Sequence, residues 1–151
     1  VSGMGVTYAA FGKRSDVVRI WAPWDASTFD VDDMAVALVR FEGGASLILR
    51  TSWAANIEKA YQETRILGTK GGACMSPLRV FKELHGSLVD IAPTNIPDGN
   101  PHTAEIGHFI ACVHNECACA VDLDSVLQTQ AVLDAIYRSA ETGHEGCLNG
   151  C

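Results

Sequence analysis

Apolar positions in this chain recur every second residue through roughly its first two thirds, then every third or fourth. The strongest alternating stretch is Val31 to Ala54, VDDMAVALVRFEGGASLILRTSWA. Its two runs, Met34–Phe41 and Ala45–Trp53, flank Glu42-Gly43-Gly44. A glycine break between apolar runs predicts a tight hairpin, because glycine takes the positive φ that a reversal needs. Alternation sets Ala35, Ala37, Val39 and Phe41 on one face of the first run and Met34, Val36 and Leu38 on the other. The return run opposes Leu47, Leu49 and Trp53 to a mixed face of Ser46, Ile48, Arg50 and Ser52. Three of these four faces are mainly apolar, so the hairpin is expected inside a sheet with both sides covered.

The neighbouring segments extend the strand pattern. Val1–Ala10 reads as a strand, and residues 10–30 as a long excursion that holds a short strand candidate at Val17–Trp21. Tyr61–Leu67, Ala73–Met75, Leu78–Leu84 and Ser87–Ala92 read as further strands, with turns at Gly68–Gly72 and His85-Gly86. The Gly68-Thr69-Lys70-Gly71-Gly72 turn is not a phosphate loop, since no helix pattern follows and the G-x-x-x-x-G-K-[ST] spacing is absent. Prolines 93, 97 and 101 close the strand-rich part. Ile106, Phe109, Ile110 and Val113 then predict a helix capped by Thr103 and ended at Asn115-Glu116. A longer helix is expected from about Ser125 to Thr142, capped by Asp124 or Ser125 and stopped by Gly143. Its stripe is Val126, Thr129, Leu133, Ile136 and Ala140, widened by Val132 and Tyr137. The expected fold class is α+β, a mostly antiparallel open sheet with helices packed on one face. Residues 1–146 form the domain and 147–151 a tail. Little chain remains to cover the second apolar face of the sheet, which points to a missing domain or a second copy.

Composition changes this picture in three ways. The 151 residues suit one domain, and 48% hydrophobic against 19% charged residues argues against disorder. A net charge of -7 without a basic run argues against nucleic-acid binding. No apolar run approaches a membrane span and no export signal is visible, so the six cysteines read as free thiols in a reducing cytoplasm. The start at Val1 reads as that of a piece of something longer, or of a processed product.

Candidate chemistry is sparse. The long excursion offers Lys13, Arg14, Trp21 and Trp24 for contact with an anion or a sugar-like ligand; the competing reading is a surface loop pinned by its aromatics. His102, ahead of the first helix, either faces a substrate or supports the helix start. His108 and Cys112 lie one turn apart, off the apolar stripe, and Cys117-x-Cys119 follows. A Cys₃His set is sensible for zinc, although Cys-x-Cys is tighter than the usual spacing and free thiols are the alternative. Nothing pairs a cysteine with a histidine as a nucleophile, and no carboxylate pair suggests acid-base work.

Four segments, in order, resemble the C-terminal domain of the Gfo/Idh/MocA oxidoreductases. They are Val31-Asp32-Asp33 with AVALVRFEGGASLILRTSWA, then ETRILGTKGGA at 63–73, HTAEIGHFIACV at 102–113 and AIYRSAETG at 135–143. The resemblance covers about Val1 to Glu145. It implies a two-domain parent in which an N-terminal Rossmann domain binds NAD or NADP and this domain supplies an open sheet and much of the substrate side. The chain has neither G-x-G-x-x-G nor the family's Glu-Lys-Pro. The family's Asp-x-x-x-His pair is expected just upstream of Val1, so neither of its residues is carried over. By this resemblance no catalytic or cofactor-binding residue lies in this chain, the fragment alone binds no cofactor, and no metal is expected. Association through the open sheet face is implied. A stand-alone dimeric binding or scaffolding module is the alternative, and a metal- or redox-responsive domain the third.

Overall fold

The computed structural model describes residues 1–17, 23–96 and 99–148. The chain divides into two compact units, Val1–Asn56 with Ala120–Cys151, and Ile57–Cys119.

The first unit is a four-stranded antiparallel sheet under one long helix. β1 (Ser2–Tyr8), β2 (Met34–Arg40), β3 (Ser46–Ser52) and the short β8 (Gly146–Cys147) run in the order β3-β2-β1-β8. The predicted hairpin is β2–β3, and Gly44 takes a φ of +83° at its turn. Register sets Gly3 opposite Val39, Gly5 opposite Ala37, and Ala37 opposite Leu49. These residues make the inner face, and α2 (Leu123–Thr142) lies over it. The core is Ala37, Val39 and Ile136, with Val1, Leu49 and Val132 packed against it. A Cβ on Gly5 would stand 2.6 Å from Ile136 Cγ2, so glycine there lets the helix approach the strand. The Gly5 N–H donates to Ser139 Oγ at 3.1 Å, which satisfies a buried donor that β8 does not reach.

The helix packs on a face offset from the expected stripe, sharing Ile136 and Val132 with it. Ala135, Ile136 and Ser139 are buried, whereas Val126 and Leu133 stay exposed. Two small residues flanking Ile136 admit the close approach that bulkier stripe members would block. Asp122, not Asp124 or Ser125, caps the helix by accepting the Ser125 N–H at 2.8 Å; Gly143 ends it at φ 70°, as expected.

Coverage of the hairpin also differs from expectation. β3 is an edge strand, and the outer face holding Met4, Val6, Tyr8, Leu38 and Ile48 is exposed, Ile48 by 80%. The deficit inferred from sequence is therefore a continuous apolar sheet face. Cys147, placed in a tail by the sequence reading, pairs with Ser2 in β8.

The second unit is a meander: β4 (Arg65–Gly68), β5 (Gly71–Met75), β6 (Leu78–Leu84) and β7 (Ser87–Ile91), in sequence order. The turn between β6 and β7 carries His85 at φ 54° and Gly86 at φ 78°, the paired positive values of a tight hairpin. Arg79 on β6 meets Asp90 on β7 across the pair, Nε to Oδ1 at 2.8 Å. α1 (Pro101–Val113) follows. Its cap is Asn100 rather than Thr103: Oδ1 accepts the N–H groups of His102 and Thr103, and Pro101 occupies the first helical position, where no N–H is needed. None of its residues is buried, and Ile106, Phe109, Ile110 and Val113 all stand exposed.

The α+β class with antiparallel open sheets holds, with the strands shared between two sheets rather than one. Among the described residues, no helix is long and apolar enough to cross a membrane.

Candidate functional site

The long excursion after β1 is tied down at one node, Asp33. This carboxylate is 2% exposed, and its Oδ2 accepts the N–H of Phe11 and, at 3.1 Å, that of Gly12. Asp33 N donates to Tyr8 O at 2.8 Å, while Asp33 O accepts Ser52 Oγ at 2.8 Å and Trp53 N at 3.2 Å. One residue thus joins the end of β1, the start of the loop and the end of β3. Charge-assisted bonds of this kind are stronger than neutral ones, which suits a buried anchor.

Aromatics hold the rest of the loop. Trp24 and Trp53 meet edge-on, with ring centroids 5.7 Å apart, and Phe29 lies 5.6 Å from Trp53. Trp24 Nε1 donates to Gly12 O at 2.7 Å, and Trp53 Nε1 to Asp32 O at 3.0 Å. A Cβ on Gly12 would fall 1.9 Å from Phe29 Cε1, so only glycine fits beneath that ring.

This geometry sorts the loop candidates. Trp24 pins the loop. Lys13 and Arg14 project from the pinned segment and are exposed. Arg14 forms a two-pronged pair with Asp16, Nε to Oδ1 at 2.9 Å and Nη2 to Oδ2 at 2.7 Å. The hydrogen bond holds Asp16 below its ordinary pKa and Arg14 above its own. An anion at Arg14 would have to compete with that carboxylate. Trp21 and most of the strand candidate Val17–Trp21 lie outside the described residues.

His102 belongs to the second unit. Its ring is exposed in the first turn of α1, with Nδ1 3.9 Å from Glu105 Oε2, and its N–H serves the Asn100 cap. The chain does contain one Asp-x-x-x-His spacing, Asp98 to His102, which the sequence reading passes over. It lies at the entrance to α1, far along the chain from the expected place upstream of Val1, and Asp98 is outside the described residues.

The late cysteines divide. Cys147 is disulfide-bonded, which corrects the free-thiol expectation there. Cys74, Cys112, Cys117 and Cys119 are not in disulfides. His108, Cys112 and Cys117 converge: Cys112 Sγ lies 3.5 Å from His108 Nε2 and 3.7 Å from Cys117 Sγ, and Cys117 Sγ lies 3.7 Å from His108 Nδ1. Burial pushes the Cys112 thiol above its ordinary pKa, and Cys117 and Cys119 add to the rise.

Sequence reasoning missed Asp33, Ser139 and the Asp32–Tyr137 pair. The Asp32 carboxylate, followed by burial, raises the Tyr137 phenol's pKa. Consecutive acids before a strand look like a solvated turn, so nothing in the sequence marks one of them as buried. The signal for Ser139 was readable: Gly3-x-Gly5 on a strand calls for a small residue on the helix above it.

Comparisons with known proteins fit this architecture. The profile of the Gfo/Idh/MocA family described as "Oxidoreductase family, C-terminal alpha/beta domain" matches residues 9–148. The D-glucoside 3-dehydrogenase of Escherichia coli K12 is 31% identical over 121 residues, which are 80% of this chain and 34% of that protein. The chain thus spans about a third of the length of the curated relative that it matches. The aldose-aldose oxidoreductase of Caulobacter crescentus, solved with glycerol, superposes with a TM-score of 0.65 at 22% identity, over 96% of this chain and 40% of that one. The WlbA dehydrogenase of Bordetella pertussis, solved with NADH and UDP-GlcNAcA, gives a TM-score of 0.58 at 23% identity, over 99% and 39%. With the profile matched over nearly its whole length on a fold of the same architecture, the chain belongs to the Gfo/Idh/MocA oxidoreductase family and represents its C-terminal domain.

Proposed function

We propose that this chain is the substrate-side and oligomerisation domain of an NAD(P)-dependent oxidoreductase that acts on a sugar, a polyol or a related compound. The observation that carries the reading is the family match over residues 9–148 in a chain that covers 34% of a glucoside dehydrogenase. In this reading the nicotinamide sits on an N-terminal Rossmann domain outside this stretch, which carries no G-x-G-x-x-G of its own. That domain holds the hydride carrier, and the proton-transfer groups sit beyond this chain. This domain contributes shape and contacts, with Lys13 and Arg14 in the first unit and His102 in the second as separate candidates for substrate contact. The reaction moves a hydride between the nicotinamide and a carbinol carbon of the substrate.

The exposed apolar face of the β3-β2-β1-β8 sheet supports self-association, because monomers rarely leave a continuous face of this kind in water. The exposed stripe of α1 is a second apolar surface, which we assign to the Rossmann domain.

The test is an assay of two polypeptides with NAD⁺ and NADP⁺ against a panel of glucosides and polyols. Turnover is expected from the longer polypeptide that carries this stretch behind a Rossmann unit, and none from the 151-residue chain. Dehydrogenase turnover by the chain alone overturns the assignment. Light scattering over a dilution series tests association: a dimer or tetramer that Ile48→Arg dissociates is expected, and a clean monomer returns the face to interdomain packing.

A further inference from the structure

The structure assigns a zinc site to the C-terminal end of α1, with His108, Cys112 and Cys117 as ligands and Cys119 as the fourth. The inference is independent of the oxidoreductase reading, because it rests only on how the helix ends.

α1 ends in a complete backbone reversal. Glu116 N donates to Ala111 O at 2.9 Å, Asn115 N donates to Cys112 O at 3.0 Å, and Asn115 takes a left-handed φ of 59°. This is the Schellman arrangement, with asparagine in the position that glycine most often fills. The reversal folds the chain back over the last turn, and that return sets the Cys117 thiol against Cys112. His108 and Cys112, four residues apart on the helix, present the imidazole and the first thiol on the same side.

The separations suit a tetrahedron. With Zn–S near 2.3 Å and Zn–N near 2.0 Å, its edges are about 3.8 Å between sulfurs and about 3.5 Å from sulfur to nitrogen. The two thiols are 3.7 Å apart, His108 Nε2 lies 3.5 Å from Cys112 Sγ and Nδ1 3.7 Å from Cys117 Sγ, and one ligand atom from each residue lies within 4.8 Å of the others. A small turn of the imidazole about its broad terminal torsion aims one nitrogen at the centre. His108, Cys112 and Cys117 are also the group of possible ligands that the described residues bring together. Cys119 follows Cys117 by two residues in an exposed loop and can complete the set. Soft thiolates with one imidazole select zinc over magnesium or calcium.

No open coordination position remains, so the metal is structural. It would clamp residues 117–119 to a helix that buries none of its own residues.

The experiment is metal analysis of the 151-residue chain purified under a non-chelating reductant, with cobalt(II) as a spectroscopic probe. One zinc per chain is expected, together with the intense visible bands and sulfur-to-metal charge transfer of a tetrahedral thiolate cobalt site. Cys117→Ser and His108→Ala should each weaken cobalt affinity by roughly 100-fold or more, since loss of even an outer-shell partner costs 10- to 100-fold. Cys74→Ser should leave it unchanged. Well under one equivalent of zinc, with no charge-transfer band on adding cobalt, overturns the site; so does a cobalt affinity that Cys117→Ser leaves unchanged. The wild-type titration decides the matter even if a variant fails to fold.

Discussion

The two helices invert what their sequences promise. α1 is the more apolar helix, with the stripe Ile106, Phe109, Ile110 and Val113, and buries none of it. α2 is the less apolar helix and buries Ala135, Ile136 and Ser139, of which only Ile136 belongs to its stripe. The difference lies in what faces each helix. α2 meets a strand whose glycines at 3 and 5 let it approach closely, and Ser139 answers a buried N–H on that strand. An amphipathic stripe says that a helix wants cover. Small residues on the opposing strand decide where cover is found.

Truncations of similar kind on the two helices should separate them most. Ile136, 4% exposed at the centre of the first unit's core, should cost about 2–5 kcal/mol on replacement by alanine. Phe109→Ala, with the ring 67% exposed, should change the stability of this chain by no more than about 0.5 kcal/mol. Urea unfolding of both variants measures the contrast. Equal losses would mean that α1 is covered in solution by contacts of its own.

Asp33 ranks next. Asp33→Ala strips an acceptor from two loop N–H groups, that of Gly12 buried, and should cost about 1.5–3 kcal/mol. Intrinsic tryptophan fluorescence should shift with it, because Trp24 hangs on Gly12 O. A variant as stable as the parent, with unchanged fluorescence, would mean that the aromatics alone hold the loop. Gly5→Ala follows at about 1–3 kcal/mol, since the new methyl meets Ile136 at 2.6 Å. No change there would remove close approach as the reason that α2 is buried.

These positions also show what was legible beforehand. β2–β3 was readable because alternation and a glycine turn coincide at Met34–Ser52. The open sheet face was readable as an excess of apolar positions over available cover. The packed face of α2 was readable only in part: Ile136 and Val132 lay on the stripe, but hydrophobicity weights Val126 and Leu133 above Ser139. Asp33 was hidden because burial of a carboxylate depends on N–H groups more than twenty residues away. The histidine–cysteine spacing was visible, but the Asn115 reversal that turns Cys117 back onto it was not. Short-range pattern carries element type; partners distant in sequence carry contact.

The helix caps give the smallest and most selective contrast. α1 starts on the Asn100 amide and α2 on the Asp122 carboxylate, so only the second cap titrates. The Ser125 N–H holds Asp122 below its ordinary value of 3.8. A depressed carboxylate lends its stability above the unfolded pKa and loses it as pH falls through the folded one. The loss attributable to this cap should therefore begin below about pH 4. Asp122→Asn keeps a capping oxygen but does not titrate, so its share of the acid-side loss should vanish. Amide exchange resolved along the chain, followed from neutral pH downward, should show Val126 and its neighbours in the first turn of α2 losing protection earlier in the parent than in the variant. The first turn of α1 should respond equally in both. If parent and variant lose protection in α2 together, the carboxylate's charge adds nothing to its cap, and the two helix starts differ only in the residue that occupies them.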